Sequence, residues 1–324
     1  MAPRRTGRGR TRIGRLVLAA IVVLVAGAAA LALLRPWAAP PSPVALAPAP
    51  TDGCRKTPAF TGNPALGLGG GLLLATDQEQ KGLVLVATAG GGKSYQHPTW
   101  DDAGYLGAIA YDDAGNIYAA PTPRQSLVDN PLAGATTLWR VDGTSGAMEP
   151  FVTLPGAATE RNPFGVLGLT YACAINAIYA ATVIGSTPMT AHGGVVAIGR
   201  DGQIRGVALA DTDVMGVLVV RVGAGYELYA GLARSPQIVA VPLNEQGVAT
   251  GPARPLIDLT TAGAAPSERA RKLRIVADEL VAELVPFNFS LQGSASAQAQ
   301  IRRATWRYDQ AAVAWVVSRT AVAP

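Results

Sequence analysis

Residues 106–120 read LGAIAYDDAGNIYAA, and residues 167–181 read LGLTYACAINAIYAA. The two stretches align without a gap at an offset of 61, sharing an opening Leu-Gly and a closing Ile-Tyr-Ala-Ala. Residues 215–231, MGVLVVRVGAGYELYAG, are a third copy, with Leu228-Tyr229-Ala230 a further 50 residues along. Each copy is an apolar strand, a turn rich in Gly, Asp or Asn, and a second strand ending in an aromatic and small residues. A third strand follows each, from Thr136, Gly193 and Gln237, and a fourth follows in two of them, around residues 149–154 and 204–210.

Four short antiparallel strands recurring every ~40–60 residues are the pattern of propeller blades. In a ring, such sheets bury both faces and protect most of their edges. Two weaker units flank the clear ones. Residues 69–100 hold GGGLLLATDQ and KGLVLVATAGG, and residues 272–319 hold KLRIVADE, ELVAELVPFNF, QIRRATWRYDQ and VAWVVSR. Five blades are thus recognisable in residues 54–324, and the two termini offer material for another. The sequence predicts an all-β propeller of six blades, with five as the alternative and a pair of stacked sheets as the competing architecture.

The Asx-Gly strand turns with -Ile/Leu-Tyr-Ala- resemble those of the NHL and SMP-30/gluconolactonase-like group of six-bladed propellers, over residues 60–320. The resemblance implies six blades. In the lactonases of the group it also implies a Ca²⁺ site at the mouth of the central channel that polarises a lactone carbonyl. It places Asn162, in an Asn-Pro-Phe-Gly segment, together with Asp213 and Asn288 at such a site. The chain departs from the group where Asp-x-x-Gly is Cys173-Ala174-Ile175-Asn176, and the expected Glu near the first inner strand has no counterpart.

With the first strand of each blade innermost, the second-to-third-strand loops share one face with the connections between blades. Those loops are long at residues 121–135, 184–192 and 288–298, and long irregular loops are where function concentrates. The connections on that face are polar: His97 to Asp102, Glu160-Arg161-Asn162-Pro163, Asp211-Thr212-Asp213 and Ser267-Glu268-Arg269. Candidate ligand-facing residues are therefore Trp100, Asp101, Asp102, Arg161, Asn162, His192, Asp213 and Asn288. Asn162 and Asp213 are the metal ligands on the lactonase alternative, since Ca²⁺ takes about six to eight oxygen ligands. No cofactor is expected otherwise.

Several other chemistries are excluded. Residues 87–94, ATAGGGKS, fit a relaxed phosphate loop, yet Pro98 bars the helix whose amides would face a phosphate. His97 and His192 are the only histidines and cannot make a three-histidine zinc site. Gly143-Thr144-Ser145-Gly146 breaks the spacing of a nucleophile elbow. Cys54 and Cys173 lack Cys-x-x-Cys spacing; they are either a disulfide or two buried thiols. The basic run at residues 268–274 reads as a solvated turn of helix, and Trp306, Tyr308 and Trp315 as blade packing.

The N-terminus carries a separate message. Residues 16–34, LVLAAIVVLVAGAAALALL, hold 19 uncharged residues, enough for a helix across a ~30 Å hydrocarbon core. Six Arg precede them (Arg4, Arg5, Arg8, Arg10, Arg12 and Arg15), which predicts an inside N-terminus and an outside body. A cleaved signal peptide is the rival, although its apolar region is usually only about 7–15 residues. The expected organisation is a basic cytoplasmic tail at 1–15, a transmembrane helix at 16–34, a Pro/Ala-rich spacer at 35–53 and the propeller at 54–324. This places the chain in the plasma membrane as a single-pass protein with an extracytoplasmic body. Beyond residue 35 the chain has 20 basic and 22 acidic residues, without the basic face that nucleic acid requires. The function expected is a tethered module that binds a protein, peptide or glycan. The alternative is a metal-dependent lactonase or esterase.

Overall fold

A computed structural model describes residues 46–68, 71–76, 80–88, 93–123, 132–289 and 301–322. The expected tail and membrane helix, and most of the spacer, lie outside the described residues. Among the described residues no helix is long and apolar enough to cross a membrane.

The described residues form five antiparallel sheets in a five-blade propeller arrangement. Blade 1 has three strands, β2 (Leu72–Thr76), β3 (Leu83–Ala87) and β4 (Ser94–Tyr95). The strand at Ser94 confirms that no helix follows the Gly-rich stretch, whose residues 89–92 lie outside the described residues. Blade 2 contains β5 (Leu106–Tyr111), β6 (Ile117–Pro121), β7 (Thr137–Val141) and β8 (Met148–Thr153). Blade 3 contains β9 (Val166–Ala172), β10 (Ala177–Thr182), β11 (Gly194–Gly199) and β12 (Ile204–Leu209). Blade 4 contains β13 (Val214–Val222), β14 (Gly225–Leu232), β15 (Gln237–Leu243) and β16 (Arg254–Asp258). Blade 5 contains β17 (Glu268–Val276), β18 (Glu279–Pro286), β19 (Arg302–Asp309) and β20 (Ala314–Val322).

Two expectations need correction. Among the described residues the count is five blades, and the preferred six is not shown, because residues 268–322 supply all four strands of their own sheet. The described N-terminal residues build no blade: β1 (Ala49–Pro50), read as the end of the spacer, pairs with Arg221 and Val220 at the inner edge of blade 4. Its proline lacks an N–H, which an edge strand tolerates. The basic run at 268–274 is not a turn of helix but the inner strand β17, paired with β18 from Glu268↔Pro286 to Val276↔Glu279. Its Ala270, Leu273 and Ile275 enter the core between blades 4 and 5, so the apolar signal has a strand's spacing interrupted by a bulge at Ala270/Lys272.

The repeat's identities have physical causes. The inner strands β5, β9, β13 and β17 lie side by side around the centre. Gly168 and Gly216 sit where they approach most closely: a Cβ on Gly168 would meet Met215 O at 2.4 Å, and one on Gly216 would meet Arg271 O at 2.6 Å. The motif tyrosines Tyr118, Tyr179 and Tyr229 are fully buried. Tyr179 donates across the blade boundary to Gly247 O at 2.8 Å, and Tyr229 accepts from Trp315 Nε1 at 3.3 Å. Burial raises the pKa of all three hydroxyls above the ordinary tyrosine value.

One apolar cluster fills each boundary between consecutive blades from 1 to 5. Each fully buried Leu, Ile or Val in them contributes roughly 1.5–3 kcal/mol. Towards blade 4, blade 5 presents Leu280, Ala282, Leu284, Ala304, Trp306 and Trp315. By strand alternation its other face carries Glu279, Val281, Glu283 and Val285 from β18 and Arg303, Thr305 and Arg307 from β19, with Val281, Glu283, Val285 and Thr305 buried. There Glu279 pairs with Arg307 at 3.5 Å, and Glu283 with Arg271 at 3.4 Å. At this sheet the second face is mixed, with two buried valines among charged residues, so the expectation of two apolar faces per blade holds only in part.

Candidate ligand-binding face

The two faces of the propeller are finished differently. On the face of the tight turns, residues 49–66 form a strap. Thr51 donates to Val219 O of blade 4 at 2.7 Å and accepts from Cys173 N of blade 3 at 3.0 Å. Cys54 is joined to Cys173 by a disulfide with the Cα atoms 5.8 Å apart. Lys56 N donates to Asp112 O at 3.1 Å and Phe60 N to Gly143 O at 3.1 Å, both in blade 2. Phe60 then packs edge-on against Trp100.

Cys173 is the register equivalent of Asp112 in the repeat. Asp112 is completely buried and holds its turn by accepting from Ala114 N, Asn116 N and Tyr118 Oη at 2.9, 2.8 and 3.1 Å. In blade 3 the same position fastens the strap instead. The left-handed turn residue that follows is Gly115 in one blade (φ 85°) and Asn176 in the other (φ 55°).

On the opposite face the described residues leave a cavity of about 530 Å³, lined by Arg161, Arg234, Arg269, Phe287, Asn288 and Phe289, with Pro188 and Ala233. Phe287 and Phe289 of its lining pack on an apolar cluster of Phe164, Val183, Met215, Ala233 and Val285. The three phenylalanines stack edge to face, with centroids 5.5 Å (Phe164–Phe287) and 5.4 Å (Phe287–Phe289) apart.

The loops around this mouth are locked by Asp213, whose carboxylate is fully buried. It accepts from Ser186 Oγ and from Gly193 N at 3.1 Å, and it pairs with Arg234 Nε at 2.6 Å. Ser186 Oγ in turn accepts from His192 N and Gly193 N at 2.8 and 3.0 Å. Arg234 also donates to the carbonyls of Thr187, Pro188 and Thr190, and its guanidinium lies 5.2 Å over the Phe289 ring. Asn162 is equally engaged. Its amide donates to Val183 O and Ser186 O at 2.7 and 2.9 Å, and its Oδ1 accepts from Phe164 N at 3.2 Å. A cation bound between Asn162 and Asp213 must therefore displace the Arg234 guanidinium. Among the described residues no three His, Cys, Asp or Glu side chains are grouped to hold a metal ion.

Two of the sequence candidates, Arg161 and Asn288, line the mouth directly. Asn162 and Asp213 lie buried behind it as fasteners. His192 is exposed on the same loop, engaged through its backbone N–H. Trp100 is in the core between blades 1 and 2, where its indole N–H donates to Gly146 O at 2.8 Å. Asp101 and Asp102 are exposed and line a separate cavity of about 210 Å³ with Lys81, Trp139 and Pro163.

Sequence reading missed Arg234, Phe287 and Phe289, and took Arg269 only as part of a polar connection. Arg269 is buried and donates to four backbone carbonyls: Ala233 and Pro266 at 2.9 and 2.7 Å, Glu268 and Arg234 at 2.8 and 3.3 Å. Burial pulls its pKa below the ordinary arginine value.

No family model matches the chain, and no curated protein matches it by sequence. Among solved structures it is similar to a chain of a nidogen/laminin complex, at 12% identity and TM-score 0.43, covering 77% of this chain and 92% of that one. It is also similar to a luciferin-regenerating enzyme, at 13% identity and TM-score 0.45, covering 86% and 81%. A third is the β-propeller domain of Nup133 from Vanderwaltozyma polyspora, at 8% identity and TM-score 0.39, covering 78% and 66%. At scores this low, the propeller assignment rests on this chain's own five sheets.

Proposed function

We propose that this chain is a membrane-tethered, extracytoplasmic binding module whose ligand sits in the mouth on the long-loop face. One observation carries the reading: the strap and its disulfide cover one face, while the other keeps a cavity of about 530 Å³ framed by loops of blades 3, 4 and 5. That volume is within the ~300–1,000 Å³ typical of small-ligand sites, with apolar walls and a few polar groups. The engagement of Asp213, Ser186 and Asn162 in holding loops favours binding over turnover. The disulfide supports a body outside the cytoplasm, since such bonds persist in oxidising compartments. The apolar run at 16–34 with its preceding arginines supports the tether and its orientation.

A panel of peptides and glycans, together with lactones and esters assayed with and without chelator, tests the proposal on the full chain. Saturable binding that weakens in Phe289→Ala, with no turnover, is the expected result. Hydrolysis that disappears with chelator and in Asp213→Asn would replace this reading with the lactonase one.

A further inference from the structure

We infer that the mouth recognises a carboxylate carried on a flat or apolar body, with Arg161 and Arg269 receiving the charge and Phe287 and Phe289 receiving the body. This rests on the placement of the ligand at the mouth proposed above. The charge distribution there is lopsided. Three guanidiniums line the cavity, and only Arg234 has a carboxylate partner, Asp213. Arg161 is exposed and makes no ion pair among the described residues. Arg269 is only 8% exposed, and all four of its hydrogen bonds go to neutral carbonyls.

A guanidinium has five N–H donors, so one on Nη2 of Arg269, a residue of the cavity lining, is left over. The nearest acid in sequence, Glu268, is taken by Arg302 at 2.8 Å and by Ala265 N at 2.6 Å. Glu160, beside Arg161, is exposed and makes no ion pair among the described residues. A cation held out of water without a counter-charge favours an incoming anion, and a guanidinium fork matches a carboxylate in particular. The rest of the lining narrows the class. Phe287, Phe289 and Pro188 offer apolar surface against which a ring can lie. Asn288 adds an amide at the rim.

The test titrates the full chain calorimetrically with two matched pairs of probes, benzoate against benzamide and glucuronate against glucose, at constant ionic strength. The expected result is that at least one acid binds about ten-fold or more tightly than its neutral twin, a difference of about 1.4 kcal/mol. Arg161→Ala should remove about ten-fold of that preference, and Arg161→Lys should restore part of it. Arg269→Ala is avoided as the primary variant, because it also strips four carbonyls of their donor. Preference for benzoate assigns the site to carboxylates on aromatic or peptide-like bodies, and preference for glucuronate to acidic sugars. Equal affinity within both pairs, or an acid preference untouched by Arg161→Ala, overturns the inference. If an uncharged peptide or glycan from the panel then binds with sensitivity to Phe289→Ala, only the anion class falls. If no ligand depends on Phe289 or Arg161, the placement of the ligand at the mouth falls as well.

Discussion

The strapped face and the cavity face both draw segments from several blades together, yet they do so with opposite chemistry. Under the strap, backbone hydrogen bonds and one disulfide close the ends of the inner strands, and Asp112 spends its carboxylate on its own turn. At the mouth, the fasteners are side chains. Asp213, Ser186, Asn162 and Arg234 tie the loops to one another, and the cavity lies beside these ties. The difference teaches that a covering segment stabilises a propeller face by filling it, whereas a binding face must be held rigid without being filled. Stability and ligand affinity should therefore separate cleanly between the two.

The largest effect is expected from removing the disulfide. Cys54→Ala with Cys173→Ala opens a covalent loop of 119 residues and should cost about 5 kcal/mol by chain entropy. Denaturant midpoints check this, and ligand affinity of the folded fraction should stay unchanged. Next comes Asp213→Ala, which strands Arg234 and should cost about 3 kcal/mol. Hydrogen exchange should show residues 184–193 and 233–236 opening, with residues 49–60 unaffected. Gly168→Ala acts on both faces alike, because its methyl would press on Met215 O between two inner strands. A loss of about 2 kcal/mol is expected, visible as a lower melting temperature without a local change in exchange.

The smallest effect is alkaline. Burial pushes the Tyr171 hydroxyl up to about 12, with the Asp113 charge adding to the shift and Arg200 opposing it. Its folded pKa lies above the ordinary 10.0, so the unfolded chain releases this proton first. The stability it contributes is complete below about pH 10 and is lost as pH rises toward about 12. Urea midpoints measured across that range should fall, and fall less steeply in Tyr171→Phe.

The blade pattern was legible because the same residue does the same job several times. Gly168 and Gly216 mark where inner strands touch, and the -Tyr-Ala- endings mark buried hydroxyls between or within blades. The long-loop face was legible from loop length alone. The rest has no repeating cause. Phe287 and Phe289 look like the end of a strand, and Arg234 lies in the short 233–236 connection between β14 and β15, so neither carries a periodic signal. A sixth blade is not shown because the described N-terminal residues are spent on a strap, a role that leaves no alternation in sequence. Trp100 was misjudged because its polar neighbours Asp101 and Asp102 are exposed while its own ring packs inward against Phe60 and Tyr95. The pairing of Cys54 with Cys173 follows from the strap's path, which spacing alone does not encode.

The central claim is that the cavity face, not the strapped one, takes the ligand. Hydrogen exchange of the full chain with and without the tightest-binding probe tests it most directly. Protection confined to the connections at 184–193, 233–236 and 286–289 is the predicted result. Protection centred on residues 49–66 and the turns at 112–116 and 173–176 would contradict it.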